Sequence, residues 1–234
     1  FTIPLALFVP EVKAKPEARR ESLLASYRSL FKQLAKLRKT SPDALRFLIA
    51  SAVYRDGLAG IFTYGAILGS VAFGFSTTQV IYYGIAANIV AGIGAALGGW
   101  LDERLGTKRT IAISLTGLLV AGLAVFVFAG AGPITYWIGG LILCLFVGPA
   151  QASSRTFVAR FTPEGREGEI FGIYQTTGKI TSFLSPTFWL IATGIAGAAG
   201  VAHTAIFGIL GIMVVLGVGL WMLLRVHPNP LLND

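Results

Sequence analysis

Apolar residues run through most of the chain in long blocks, with the polar residues gathered between them. Six apolar stretches follow one another at about residues 45–74, 78–101, 110–130, 134–158, 170–195 and 202–225. Each can cross a hydrocarbon core of about 30 Å at about 1.5 Å per residue, which predicts six transmembrane helices. Residues 1–10 read as the end of a preceding transmembrane helix, and 227–234 as a polar tail. Residues 11–42 differ in kind, with nine Lys/Arg and three Glu. Within them Leu23, Leu24, Tyr27, Leu30, Phe31, Leu34 and Leu37 recur at helical spacing, while Arg20, Arg28, Lys32, Lys36 and Lys39 take the other sides. That pattern predicts a basic amphipathic helix along the membrane surface or under the bundle, either a solvated linker or a lipid binder. Ser41-Pro42-Asp43 then supplies a helix start, so the bundle is expected over 43–226.

The loops alternate in character. The second holds Asp102, Glu103, Arg104, Lys108 and Arg109, and the fourth holds Arg160, Glu164, Arg166, Glu167 and Glu169. The first, third and fifth ("FST", "AGAGP", "AGAAG") carry no charge. Every loop cation therefore falls on one side, which the positive-inside rule makes cytoplasmic, together with both ends of the chain. The expected location is a bacterial cytoplasmic membrane.

Composition agrees. The chain is 54% hydrophobic and 13% charged, with mean hydropathy +0.72, whereas a soluble domain is about 25% charged. The net charge of +8 sits in membrane loops rather than on a nucleic-acid-binding face. One cysteine, Cys144, excludes an internal disulfide and a cysteine metal site, and His203 and His227 are too far apart for a zinc motif. No metal, cofactor or nucleic acid is implied. Because residue 1 is Phe, and no charged segment precedes the first apolar run, the chain reads as a fragment of a longer polypeptide rather than as one starting with a signal peptide.

Small residues pattern the second stretch: Ala91, Ala95 and Gly99 at intervals of four, with Gly94 and Gly98 beside them. Such spacing lets helix backbones approach closely. "GIGAALGG" lacks the spacing and the preceding strand of a dinucleotide loop. Pro149 and Pro186 are expected to interrupt and kink the fourth and fifth helices. Trp100, Trp137, Tyr136 and Trp221 lie near span ends, as interface anchors do, and His203 lies near the outer interface.

The candidate chemistry is a polar set inside the apolar stretches. Arg55 and Asp56 stand side by side in the first, where each charge costs roughly 2.5–3.5 kcal/mol on insertion scales. Neighbours on a helix point about 100° apart, so the two cannot simply neutralise each other. The candidates to meet them are Asn88, Gln151, Ser153, Ser154, Arg155, Gln175 and Lys179. Counted from the cytoplasmic ends, Asp56 and Lys179 both sit roughly 13 Å deep, Gln151 about 15 Å and Arg155 about 9 Å. Polar groups at that depth should share an interior or a wet cavity. Asp56 is the only deep acid against Arg55, Arg155 and Lys179. Snorkelling of Arg155 removes one cation, and the excess that remains needs either an acid on an absent half or an anionic substrate group such as a carboxylate. Asp56 reads equally as a counter-ion of Lys179 or Arg155 and as a proton carrier. Lys179 reads as a substrate or ion-pair residue; Gln151 and Asn88 read as ligands or as helix-to-helix hydrogen bonders.

Loop two, "GGWLDERLGTKR", resembles the cytoplasmic-loop motif of the major facilitator superfamily from Gly99 through Leu101, Glu103, Arg104, Gly106 and Lys108. The motif acid falls on Glu103, with Asp102 just before it. The resemblance implies that Asp102, Glu103, Arg104, Gly106, Lys108 and Arg109 form a charge relay at a cytoplasmic gate. "YRDG" (Tyr54 to Gly57), "QASSR" (Gln151 to Arg155) and "FVARFTPEGREGEIFGIYQTTGK" (Phe157 to Lys179) are similar to the vacuole-effluxer-like branch, the autophagy-related amino-acid effluxers and their bacterial relatives.

That resemblance implies an all-α membrane fold. The chain would be the six-helix C-terminal half of a twelve-helix transporter, partnered by an N-terminal half, the lipid bilayer and a small solute, such as a neutral amino acid. Arg55, Asp56, Asn88, Gln151, Arg155, Gln175 and Lys179 are the expected path for solute or protons. No nucleophile–base pair or paired carboxylates suggest an enzyme. A non-transporting scaffold with the same fold is the alternative.

Overall fold

The computed structural model describes residues 42–160, 162 and 167–227. The preceding helix end (1–10), all but the last residue of the amphipathic linker (11–42) and the tail from 228 lie outside the described residues. Helix α1 spans Pro42–Ile67 and widens into a π-helical turn at Leu68–Ala72. Helix α2 is Thr77–Leu105, α3 Thr107–Val127 and α4 Pro133–Arg160. The fifth crossing is split into α5, Glu167–Ile180, and α6, Leu184–Ala198. A short 3₁₀ turn, Thr204–Phe207, leads into α7, Gly208–Leu224. Among the described residues there is no strand.

Five stretches are long and apolar enough to cross a membrane: Thr77–Leu105, Thr107–Val127, Pro133–Arg160, Ile170–Ala198 and Thr204–Leu224. Helix α1, at 26 residues, is long enough, but Arg55 and Asp56 dilute its apolarity. The helices pack with α2 and α3 against α4, and α1, α3 and α6 against α7. Turns between them follow local chemistry. Ser76 and Gln79 close a reciprocal capping box at the start of α2. Gly106, at φ 82°, turns the chain from α2 directly into α3, a conformation that only glycine adopts readily.

The α2–α4 seam is built on missing side chains. Gly94 lies against the carbonyl of Leu145, and Gly98 against the ring of Pro149. From the other side, Gly148 lies against the backbone of Ala91 and Ala95. Pro149 has no N–H to offer Leu145 four residues back, and that carbonyl is the one that Gly94 covers. This corrects two expectations. Helix α4 runs through Pro149 as a single element, because a neighbouring helix fills the space that the proline opens. Gly99 has nothing within 4 Å, so the close-packed glycines of α2 are Gly94 and Gly98.

At the end with uncharged loops, Phe73, Phe75, Tyr83, Tyr136 and Trp137 form one stack of rings. Tyr136 is buried there and donates to Gly65 O at 2.7 Å. It is therefore core and not the interface anchor its position suggests: it starts α4 facing inward. Trp100 and Trp221 are half exposed, each with an arginine (Arg104, Arg225) stacked on its ring.

Candidate functional site

The tetrapeptide Tyr54-Arg55-Asp56-Gly57 occupies just over one turn of α1, so its four residues point in four directions about 100° apart. Each meets a different helix. Tyr54, fully buried, shares a 2.6 Å hydrogen bond with Ser154 of α4. Arg55 donates to Tyr174 O at 2.9 Å and to Gln175 Oε1 at 2.8 Å on α5, with its guanidinium 3.8 Å over the Tyr174 ring. Gly178, one turn on, leaves room for that guanidinium. Asp56 reaches α6, and Gly57 lets the side chain of Leu216 on α7 come close.

The Asp56 contact explains the split fifth crossing. Its carboxylate accepts the Ser185 N–H at 2.6 Å, and the Ser185 hydroxyl donates to Asp56 O at 2.9 Å. Ser185 is the second residue of α6, where backbone N–H groups have no intrahelical partner and the helix dipole is positive. Pro186 follows, at a position where its missing N–H costs nothing. The interruption expected at Pro186 is therefore found, as a break in the helix. The helix stops before it, over Thr181–Phe183, and restarts with Asp56 bound to its new N-terminus. Thr181, in the break, donates to Ala52 O of α1 at 2.9 Å. Among the described residues Asp56 forms no ion pair with Lys179 or Arg155; the residue is 7% exposed and its carboxylate is held by a helix end.

Six of the seven expected path residues line one cavity of about 300 Å³: Arg55, Asp56, Gln151, Arg155, Gln175 and Lys179. Ala59, Tyr174, Gly178 and Ser182 complete it. Asn88 is not among them. It is exposed on α2 and donates to Gly84 O of its own helix at 2.8 Å. The face of α2 against α4 is Tyr83, Ala87, Gly94 and Gly98, and Asn88, one residue beyond Ala87, points off that face. Ser185 and Tyr174 were the missed partners. The helix-start pattern of Ser182 through Pro186 carries the signal for the first; Tyr174 has none, since its backbone carbonyl and ring do the work.

In the charged loop the two neighbouring acids differ in burial. Asp102 is the buried acid, 6% exposed, while Glu103 is exposed. Asp102 Oδ1 and Ser153 Oγ are buried without a hydrogen-bond partner. Lys108 donates to Leu224 O and Val226 O, where it satisfies carbonyls at the end of α7 and meets the negative end of its dipole. Arg160 donates to Thr107 Oγ1 at 2.7 Å. Arg104 stacks on Trp100, and Arg109 is exposed. Among the described residues these groups form no relay with one another. Arg160 and Lys108 fasten α3 to α4 and to the end of α7 there. The described residues hold no cluster of His, Cys, Asp or Glu fit for a metal.

Comparison with known proteins adds the following. The family described as "Vacuole effluxer Atg22 like" matches residues 1–229. The chain is 26% identical over 222 residues to the "Uncharacterized MFS-type transporter YxiO" of Bacillus subtilis, covering 93% of this chain and 49% of that protein. It is 28% identical over 164 residues to Autophagy-related protein 22 of Cryptococcus neoformans, covering 62% of this chain and 29% of that one. It is 27% identical over 161 residues to the galactose-proton symporter of Escherichia coli, covering 65% and 34%. The chain spans about half the length of the first of these relatives, and less of the others.

Proposed function

From the premise that the chain belongs to the Atg22-like vacuole effluxer family, within the major facilitator superfamily, we propose that it supplies half of a secondary active transporter for a small polar solute. The observation that carries this is the cavity. Polar and charged side chains of α1, α4 and α5 converge on one open pocket of about 300 Å³ on an otherwise apolar bundle, with Arg155, Gln175 and Lys179 exposed at it, the low end of the range for small-molecule sites. Groups of this kind at membrane depth mark solute or proton pathways. In transporters built from two repeated halves, the solute site lies near the midplane between them. The charged end would be cytoplasmic, and a second six-helix half would close the cavity. Neutral amino acids are one reading of the solute, supported by the family; proton coupling is supported by the name of the galactose-proton symporter alone.

The test is flux. The whole natural protein that contains this chain, reconstituted in liposomes, is expected to exchange a radiolabelled solute, with the rate falling at least tenfold in Arg55→Ala. Flux of amino acids but not hexoses would settle the solute class, and dependence on an imposed proton gradient would settle the coupling. No flux of any solute by a monodisperse protein would favour a non-transporting scaffold instead.

A further inference from the structure

The cavity's charges are unevenly satisfied. Arg55 is held by two acceptors, with a ring beneath it. Asp56 is engaged too, by the start of α6. The one acid in the cavity is therefore held by a helix end. Arg155 and Lys179 are left, and among the described residues neither has a hydrogen-bond acceptor or an ion-pair partner. Gln151, also without a side-chain partner, lies one helical turn before Arg155 on α4, on the same face. Three donors from α4 and α5 thus share one cavity, with no acceptor for them among the described residues.

We propose that Arg155, Lys179 and Gln151 form a subsite for a carboxylate, so that the transported solute is recognised by its carboxylate whether or not it carries an amine. The inference rests on the transport reading and names the group that this cavity takes. Arg155 and Lys179 are exposed in this chain; a second half that closed the cavity would take them out of water, where an unpaired cation is costly and a solute anion relieves it. A guanidinium presents a planar fork that matches a carboxylate, an ammonium adds a point charge, and an amide N–H₂ adds a third donor. A neutral sugar of the same size brings no charge, and a bare amine is repelled.

The experiment uses the whole natural protein in detergent micelles, with binding followed by isothermal titration. The probes are leucine, its 2-oxo acid 4-methyl-2-oxopentanoate, its amine isoamylamine, and galactose. Leucine and the oxo acid are expected to bind within about tenfold of each other, and the amine and galactose at least tenfold more weakly. Lys179→Gln and Arg155→Gln should each weaken binding of both acids at least tenfold, while Lys179→Arg recovers part of it. The melting temperature of each ligand-free variant checks that it is folded; if Lys179→Gln does not fold, Arg155→Gln and Lys179→Arg carry the test. Galactose or the amine binding as tightly as leucine would overturn the proposal. So would acid binding that is unchanged in folded Lys179→Gln and Arg155→Gln, which would mean that an acid elsewhere in the protein meets these cations. Carboxylate binding without flux would defeat the transport reading and leave the subsite standing; flux of a neutral solute without carboxylate binding would do the reverse.

Discussion

Two seams of this bundle are made in opposite ways. Between α2 and α4 the contact is dry and close: Gly94, Gly98 and Gly148 bring backbone against backbone, and the proline ring fills what remains. Between α1 and the split α5–α6 crossing the contact is polar: Arg55, Asp56 and Thr181 each make a hydrogen bond across, and a cavity is left beside them. Lipid supplies no hydrophobic force between helices, so a seam needs either close packing or hydrogen bonds. The first device leaves no room for a solute or for sliding. The second keeps polar groups at depth and leaves space, which is what a passage requires. Helix α4 takes part in both: Gly148 and Pro149 pack on α2, and Gln151 and Arg155 line the cavity.

The largest effect should come from breaking the dry seam. A side chain added at Gly94 would overlap the Leu145 carbonyl, and two helix backbones cannot both give way. Gly94→Leu should therefore cost more than the about 1–3 kcal/mol usual for overpacking. No monodisperse protein is expected by size-exclusion chromatography, whereas Gly99→Leu, with open space around it, should elute normally. Equal behaviour of the two variants would show that backbone contact does not define this seam.

A smaller loss is expected at the polar seam. Asp56→Ala leaves the buried Ser185 N–H without its acceptor, at a cost of about 1–3 kcal/mol. Asp56→Asn keeps an oxygen in place and should lose less. Thermal unfolding in detergent measures both, and an Asn variant less stable than the Ala variant would contradict the helix-end role. The smallest effect is expected from Thr181→Val, which removes one bond to Ala52 O, a loss of about 0.6 kcal/mol. A drop several times larger would mean that the break between α5 and α6 depends on that one hydroxyl.

Much of the frame was legible from residue types alone. Long apolar runs can only be satisfied as helices in lipid, and glycine at intervals of four announces a close approach, although Gly94 and Gly98 rather than Gly99 make it. Within the site, depth counting set Asp56, Lys179, Gln151 and Arg155 near one level because rise per residue is fixed, and one cavity is lined by all four. Asn88 lies off that cavity, since depth says nothing of rotation about a helix axis. In the charged loop, motif spacing singled out Glu103, yet the face of α2 that packs inward carries Asp102.

By itself the sequence determined the all-α membrane class, the approximate spans and the presence of charges that must be met inside, because these depend on hydrophobicity and the constant geometry of a helix. Only the tertiary structure decided who meets whom. It paired Tyr54 with α4, Arg55 with α5 and Asp56 with the restart of α6, and it left Arg155 and Lys179 without an acceptor among the described residues. The physical reason is that partners across helices are set by the azimuth at which each helix packs. That angle arises from the whole set of contacts and is written in no single segment.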